Sequence, residues 1–337
     1  MTRSSLLFIF GLACCSAWAH HTAIGVFDTS RTIEVSGTVE SFSWRNPHGR
    51  IVLAGDDGRE WHAETTAISV MRGRGVSGDG VIAVGDRITI AGSPSVRGLA
   101  EIQARNLLLP SGYEFEFGSG NPYFAAGKNG NLVGRVSAST DVSRAVAEAD
   151  GIHRVWSTIM GDPDAFPMFK GGYPMTPAGE AALAAWDPVD NSLLRCGSKA
   201  MPLIMITPIP LDFVRQGDDI LMRFEEFDAQ RIIHMSDNAV PPEEHTQFGF
   251  SRGRWEGTTL VVETDRIQAD YMDMDGARHS DQISLVERFI PNEDHSRLDY
   301  RITITDPVYY SEPFELTRYF VWRPEIQVHP YECLERY

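Results

Sequence analysis

Between Thr32 and Leu109 the chain alternates apolar and polar residues in short segments that are separated by turn sequences. A period of two is typical of half-buried β-strands. The segments predict five strands and one short helix, in the order Thr32–Arg45, Arg50–Ala54, Arg59–Thr65, helix Ala67–Arg74, Asp86–Ala91 and Glu101–Leu109. Three strands, a helix and two strands is the order of an OB-type barrel. Residues 20–110 are therefore predicted to form an OB-like β domain.

The pattern changes over residues 111–190, which are predicted to form a connector with short helices. Its first part is rich in glycine, asparagine and aromatic residues and shows no periodicity. Helices are predicted at Thr140–Ala149 and Pro177–Trp186. The second of these has Thr176 as its N-cap and Pro177 at the first helical position, where proline is favoured.

Strand signals return over residues 191–337 at regular spacing. They predict strands at Ile220–Phe227, Arg231–Met235, Thr246–Trp255, Thr258–Thr264, Ile283–Phe289, Leu298–Thr305 and Phe314–Trp322. About eight antiparallel strands with short turns favour a lipocalin-like barrel or sandwich. Such barrels hold one small ligand in the mouth when their interior is open. An interior filled by large side chains would argue against a ligand there.

One strand of this region carries a charge where the pattern requires an apolar residue. Alternation along Gln282–Phe289 places Glu287 on the same face as Ile283, Leu285 and Phe289. The inward carboxylate has two interpretations. One is a structural ion pair with an arginine, and the other is part of a ligand pocket. An inward charge alone does not distinguish them.

A set of polar residues in the same region is the candidate acid–base site. The candidate catalytic residues are Tyr271, His279, Asp281 and Glu287, and the candidate ligand-binding residues are His234 and His245. A histidine beside a carboxylate in a partly apolar cavity transfers protons near neutral pH. That chemistry suits an isomerase, dehydratase or cyclase acting on an apolar molecule without a cofactor. The competing interpretation of each histidine is a hydrogen-bonded residue at a strand end.

The N-terminus predicts export. Arg3, the apolar run Leu6–Ala13 and the site Ala17-Trp18-Ala19 have the order of a secretory signal peptide over residues 1–19. The predicted location is the periplasm or outside the cell, with acylation at Cys14 or Cys15 as the alternative.

The charge of the chain bears on its partners. It is −16 at pH 7, and removal of Arg3 with the signal makes it −17. Nucleic acid repels such a chain, so it is excluded as a partner. No segment after the signal is apolar over the ~20 residues that a membrane helix needs, and protein partners are not identified by the sequence.

Cysteine and histidine suggest two further features. After cleavage, Cys196 and Cys333 remain, and an oxidising compartment predicts a disulfide between them, with two buried free thiols as the alternative. Cleavage also makes His20 the N-terminus, followed by His21. An α-amine and an imidazole together bind copper, and His48 and His62 would add ligands if the fold brings them near.

Several blocks of sequence resemble a family of exported proteins of unknown function from Gram-negative bacteria. HHTAIGVFD and GTVESFSWRNPHGRI match its N-terminal domain, which begins HHS…FD and carries WxNPH. The second half resembles a recurrent partner of that domain, in blocks PMTPAGEAALAAWDP, RIIHMSD, GRWEGTTLVVET, GARHSDQISLVERF, DP and YEC. The chain departs from relatives at residues 234–237, HMSD, where they have a tyrosine and then an acidic–Gly–Arg run. The resemblance implies export and two domains and assigns no catalytic residue.

The leading hypothesis is an exported protein that binds an apolar or amphiphilic small molecule in the C-terminal barrel, with acid–base turnover as an extension that needs no cofactor. The first alternative is binding of copper or another transition metal through the new N-terminal histidine. The second is an envelope module that binds partner proteins, which large exposed apolar patches would favour.

Overall fold

The computed structural model describes residues 26–73, 81–117, 122–124, 142–159, 165, 171–187 and 197–331. The chain is mainly β, with 46% strand and 10% helix, and it forms two closed barrels, of five and nine strands. The predicted mainly-β architecture, with a small first barrel and a larger second one, is therefore confirmed. None of the described helices is long and apolar enough to cross a membrane.

The first barrel has the predicted order of elements. They are β1 Ile33–Ser43, β2 His48–Gly55, β3 Glu60–Ala67, α1 Ile68–Gly73, β4 Arg87–Pro94, β5 Glu101–Leu108 and β6 Glu114–Glu116. The sheet runs β3-β2-β1-β4-β5-β6, and a short parallel pairing of β3 with β5 closes it. Its inward-facing aliphatic residues form one continuous core. At the β4 bulge a Cβ on Gly92 would lie 2.0 Å from the Gln103 carbonyl oxygen, so only glycine permits this approach.

The connector supplies helices and one strand. Its elements are α2 Val142–Glu148, β7 Val155–Ser157 and α3 Pro177–Ala184. Thr176 caps α3 by accepting a hydrogen bond from the Gly179 amide, which confirms the predicted cap. Two elements differ from the predicted division of the chain, because β6 extends the first sheet beyond residue 110 and β7 joins the second barrel. Strands of three residues are too short to show a period of two.

The second barrel contains eight further strands, and a separate two-stranded hairpin lies between two of them. They are β8 Leu211–Gln216, β9 Asp219–Phe224, β10 Gln230–His234, β11 Phe250–Glu256, β12 Thr259–Asp265, the hairpin strands β13 Asp270–Tyr271 and β14 Arg278–His279, then β15 Ser284–Pro291, β16 Arg297–Thr305 and β17 Phe314–Trp322. The closed order is β10-β11-β12-β15-β16-β17-β7-β8-β9. A barrel, rather than an open sandwich, is therefore the form observed.

The second barrel differs from the predicted strands in several features, the first being β8, which the pattern does not predict. β10 and β11 pair in parallel, at Ile233↔Ser251 and His234↔Arg252, whereas the other pairs are antiparallel. The strand predicted to start at Thr246 starts at Phe250. The strand predicted to end at Phe227 ends at Phe224, because the chain turns there, with φ of 60° at Phe227 and 51° at Asp228. Left-handed conformations of this kind interrupt a strand.

Large side chains occupy the interior of the second barrel. The largest fully buried aromatic side chains there are Trp156, Phe213, Phe224, Phe289, Tyr300 and Phe320. A 3₁₀ turn, Leu203–Ile206, precedes β8, and Met201, Ile204 and Met205 join the same core. The interior is therefore a packed core, which is the condition that argues against a ligand inside the barrel.

Candidate functional site

Glu287 is the centre of a buried polar cluster in the second barrel. Alternation along β15 directs it inward, as predicted, and its side chain is 0% exposed. Arg231 donates from Nη1 to Glu287 Oε1 at 3.0 Å and from Nη2 to Oε2. The Tyr300 hydroxyl donates to Oε1 at 2.8 Å. Burial, and then the charge of Glu287, raise the pKa of Tyr300 well above its usual value, so this phenol stays a donor.

Arg231 also satisfies hydroxyl groups on two other strands. Its Nε donates to Ser251 Oγ at 2.8 Å, and its Nη2 donates to Thr264 Oγ1 at 2.6 Å. Both hydroxyl oxygens are in the barrel interior. A buried ion pair there stabilises the fold only if the remaining donors and acceptors of the two charged groups also form hydrogen bonds. Glu287 therefore forms the buried ion pair with an arginine that the structural interpretation of this residue predicts.

A second buried arginine anchors the 3₁₀ turn to the barrel wall. Arg318 Nη1 donates to the Met205 and Thr207 carbonyl oxygens at 2.5 and 3.3 Å, and its guanidinium lies 4.1 Å from the centre of the Phe320 ring. Burial lowers the pKa of Arg318 to about 9. These contacts hold the turn in place and keep the interior filled.

The predicted acid–base residues are divided between separate places. Tyr271 and His279 lie on the hairpin β13–β14, whereas Glu287 lies inside the barrel and Asp281 is exposed. His279 is buried, and its Nδ1 donates to the Ser280 carbonyl oxygen at 3.1 Å. Burial lowers the pKa of His279, which favours the neutral imidazole. No hydrogen bond between described residues joins His279 to Glu287, so the structure does not assemble the four residues as one site.

The predicted ligand-binding histidines have different surroundings. His234 Nδ1 lies 2.9 Å from Asp219 Oδ2, and its ring stacks on Phe250 with 4.9 Å between centroids. His245 is an exposed loop residue. Only His234 is therefore held in a defined orientation.

The predicted metal ligands are separated where the structure describes them. His48 Nδ1 contacts the Thr65 carbonyl oxygen at 2.9 Å, whereas His62 Nε2 contacts Glu60 Oε1 at 3.0 Å. They lie on different rungs of the β2–β3 ladder, because His48 faces Ala67 and His62 faces Val52. No group of three or more metal-ligating side chains occurs within the described ranges. His20, His21, Cys196 and Cys333 lie outside those ranges, so the copper site and the disulfide stay predictions.

A groove lies on the outer wall of the second barrel. Its cavity volume is about 570 Å³, within the range of small-molecule sites. It lies between α2, the β7–β8 wall and residues 322–328. The apolar side chains that line it include Val155, Val214, Trp322, Pro324, Ile326 and Val328. Charged residues, including Arg154 and Asp212, line the same groove, so its lining is amphiphilic.

The charged residues of the groove are mostly paired with each other. Arg223 Nε donates to Asp212 Oδ1 at 2.9 Å, Arg215 pairs with Asp150, and Arg144 Nε lies 3.8 Å from Glu148 Oε1. Each of these three arginines therefore has a carboxylate within 4 Å.

Arg154 differs from the other arginines of the groove. Its Nη1 donates to the His295 carbonyl oxygen at 3.2 Å, and its guanidinium stacks 4.4 Å from the centre of the Trp322 ring. Among the residues that the structure describes, no carboxylate makes a salt bridge to it, and its buried Nε has no hydrogen-bond partner. Burial lowers the pKa of Arg154, although Asp150 opposes this effect. Arg154 is thus a half-buried cation that has no carboxylate partner among the described residues.

A second groove adjoins the first. It has a volume of about 440 Å³, and both grooves include His153 and Arg215 in their lining. Asp219, the partner of His234, lines the second groove, as does Trp255. Burial, followed by the charge of Arg215, lowers the pKa of His153, whose Nδ1 lies 3.3 Å from the Phe213 carbonyl oxygen. The predicted ligand residue His234 is therefore next to a concave site.

Sequence reasoning did not identify His153, Arg154 or Trp322 as site residues. No local pattern indicates them, because β7 has only three residues and is too short to show a period of two. α2 directly precedes this segment, whereas the β8 and C-terminal walls of the groove come from segments more than fifty residues away in sequence.

Comparison with known proteins gives one family match. Residues 10–102 match the model of a family of unknown function (DUF6152). This segment covers the first barrel as far as the start of β5, and both grooves lie outside it. No curated protein and no solved structure gives a significant match to the chain. Similarity thus associates the first barrel with an uncharacterised family and leaves the second barrel to be interpreted from its own geometry.

Proposed function

We propose that this is an exported protein that binds a small amphiphilic molecule in the wall groove of its second barrel. The observation that carries the proposal is the groove itself, in which an arginine with no carboxylate partner among the described residues lies beside an apolar surface. Export rests on the signal sequence at residues 1–19.

The contacts of Arg154 favour an anionic head group. Arginine binds carboxylates and phosphates through paired N–H donors, and its stacking on Trp322 fixes the plane of the guanidinium. The protein carries a net charge of −16, so anions are repelled at long range and need such a local cation. The apolar residues Val155, Ile326 and Val328 would contact the hydrocarbon part of the ligand.

The groove supports binding better than it supports turnover. His153 is held neutral at its edge, and a neutral imidazole accepts a proton. It has no carboxylate partner in the hydrogen bonds of the described residues, so the base lacks the orienting group that acid–base sites generally contain. We therefore place binding first and treat turnover as the extension to be measured after it.

Two amphiphiles that share a dodecyl-length hydrocarbon tail and differ in the charge of the head group test this proposal. We expect dodecanoate, below its micelle concentration, to bind the purified protein with one saturable site in isothermal titration calorimetry, and dodecyltrimethylammonium to bind more weakly. Arg154→Gln should weaken dodecanoate about tenfold, since a charge-assisted hydrogen bond contributes ~1.5–3 kcal/mol and this one is partly exposed.

Arg301→Gln provides the matched control. It removes the same charge from an exposed pair with Glu315 and does not line either groove, so dodecanoate affinity should stay as in the wild type. The proposal fails if neither amphiphile binds saturably, or if Arg154→Gln and Arg301→Gln bind dodecanoate equally well.

A further inference from the structure

The two barrels meet at one buried carboxylate. Glu225 lies in the loop between β9 and β10 and is 0% exposed. Its Oε1 accepts a hydrogen bond from Asn46 Nδ2 at 3.0 Å, and its Oε2 accepts one from the His329 amide at 2.9 Å. Asn46 Nδ2 also lies 3.3 Å from the Pro330 carbonyl oxygen. We call Asn46, Glu225, His329 and Pro330 the Glu225 junction, which joins the first barrel, the second barrel and the C-terminal segment.

Among the residues that the structure describes, Glu225 differs from its neighbour Glu226 because it has no ion pair. Its neighbour Glu226 lies 2.8 Å from Lys199 Nζ, and Asp228 accepts a hydrogen bond from the Tyr331 amide at 3.1 Å. In the described part of the chain no lysine or arginine lies within 4 Å of Glu225, although the charge of Arg72 reaches it. A buried carboxylate in this situation is costly when ionised.

Three polar atoms of the first barrel around this carboxylate are also incompletely satisfied. Asn46 Oδ1 and Arg72 Nη1 are buried without a hydrogen-bond partner among the described residues. The Ser69 hydroxyl faces the Glu225 carboxylate but is outside hydrogen-bonding geometry. The junction is therefore not arranged to compensate a full negative charge.

We propose that the Glu225 junction is a pH-responsive contact, which holds the first barrel and the C-terminal segment to the second barrel more tightly in mildly acidic than in mildly alkaline solution. The direction follows from proton linkage. Burial raises the pKa of Glu225 to about 7, against the hydrogen bonds from His329 and Asn46, which lower it. When the barrels separate, the pKa of the solvated carboxyl returns to its usual value near 4.5.

The docked form therefore holds more protons than the separated form between these two pKa values. The contribution of Glu225 to docking is complete below pH 4.5 and is lost as the pH rises through about 7. Ionisation thus weakens the contact, because the charge must be kept in a buried site where no described lysine or arginine lies within 4 Å.

Other ionisable groups face the junction, and some oppose this effect. They are Arg72 of α1, His48 and Glu64 of the first barrel, Lys199, Glu226 and Asp228 of the second barrel, and His329 and Tyr331 of the C-terminal segment. Burial, followed by the charge of Arg72, lowers the pKa of His329. Protonation of His329 in acid therefore disfavours docking, so the proposal requires that Glu225 outweighs His329.

Hydrogen exchange of the full chain tests the proposal. We expect the amides of His329 and Tyr331, which donate to Glu225 and Asp228, to be at least about tenfold more protected at pH 5.5 than at pH 8, after correction for intrinsic exchange rates, since one pKa unit corresponds to a tenfold change. Glu225→Gln should keep high protection at both pH values, because its neutral amide imitates the protonated acid. Asn46→Ala should lower the protection at both.

Two results would overturn the proposal. One is equal corrected protection at pH 5.5 and pH 8 in the wild type, which needs no variant. The other is a pH dependence that persists in Glu225→Gln and disappears in His329→Gln, since that result assigns the effect to the histidine. Unchanged protection of the β16 amides in each variant serves as the control for intact folding of the second barrel.

Discussion

Glu287→Gln is expected to destabilise the protein by roughly 3–5 kcal/mol, the usual cost of leaving one charge of a buried pair without its partner. Arg231 would remain inside the barrel and lose its counter-ion, while its contacts with Ser251 and Thr264 do not neutralise it. The free energy of unfolding in urea at pH 7 measures the effect. Glu256→Gln is the matched control, since Glu256 pairs with Arg288 in solvent, and we expect no measurable change.

A double variant separates the pair from the carboxylate alone. Arg231→Met with Glu287→Leu should recover most of the lost stability, because an apolar pair of similar volume often replaces a buried ion pair without loss. An unchanged urea midpoint for Glu287→Gln, accompanied by loss of ligand binding, would instead support the pocket interpretation of this carboxylate.

Trp156→Ala is expected to cost about 3–5 kcal/mol, the range for removal of a large aromatic side chain from a core. Trp156 is 0% exposed, and its Nε1 donates to the Ile152 carbonyl oxygen at 2.9 Å. Its strand, β7, is also the element that joins β17 to β8 and closes the barrel. Thermal unfolding followed by circular dichroism measures the loss.

Two variants define the result for Trp156. Trp156→Phe should lose clearly less stability, since it keeps an aromatic ring in the core. Trp255→Ala removes the same side chain from a position that is 46% exposed, and its melting temperature should stay close to the wild-type value. Equal losses in Trp156→Ala and Trp255→Ala would contradict the closure of the barrel through β7.

Strand alternation predicted Glu287 correctly but did not identify its partner. In β10 both Arg231 and Ile233 point inward, whereas Ile232 is 42% exposed. The sequence Arg-Ile-Ile allows either face to be the buried one, since each choice buries an isoleucine. An inward arginine is expected only when a buried carboxylate is known to lie opposite it. The apolar–polar pattern of β10 contains no information about that contact.

The site was harder to predict than the fold for a related reason. OB-type order and regular strands follow from periodicity over eight or more residues, whereas the groove depends on a three-residue strand and a segment without regular structure. Tyr271 and His279 were grouped with Glu287 because they are near in sequence. The hairpin β13–β14 separates them from the barrel interior, and no spacing rule anticipates that.

Photolabelling shows directly whether the amphiphile binds in the wall groove. A diazirine derivative of dodecanoate would be crosslinked to the purified protein and the labelled residues located by mass spectrometry, with unmodified dodecanoate as competitor. We expect labels that dodecanoate displaces on residues 153–155, 214–215, 322, 324 and 326–328, which line the groove. Competed labels on the inward residues Leu285, Phe289 and Tyr300, or labels that dodecanoate does not displace, would contradict it.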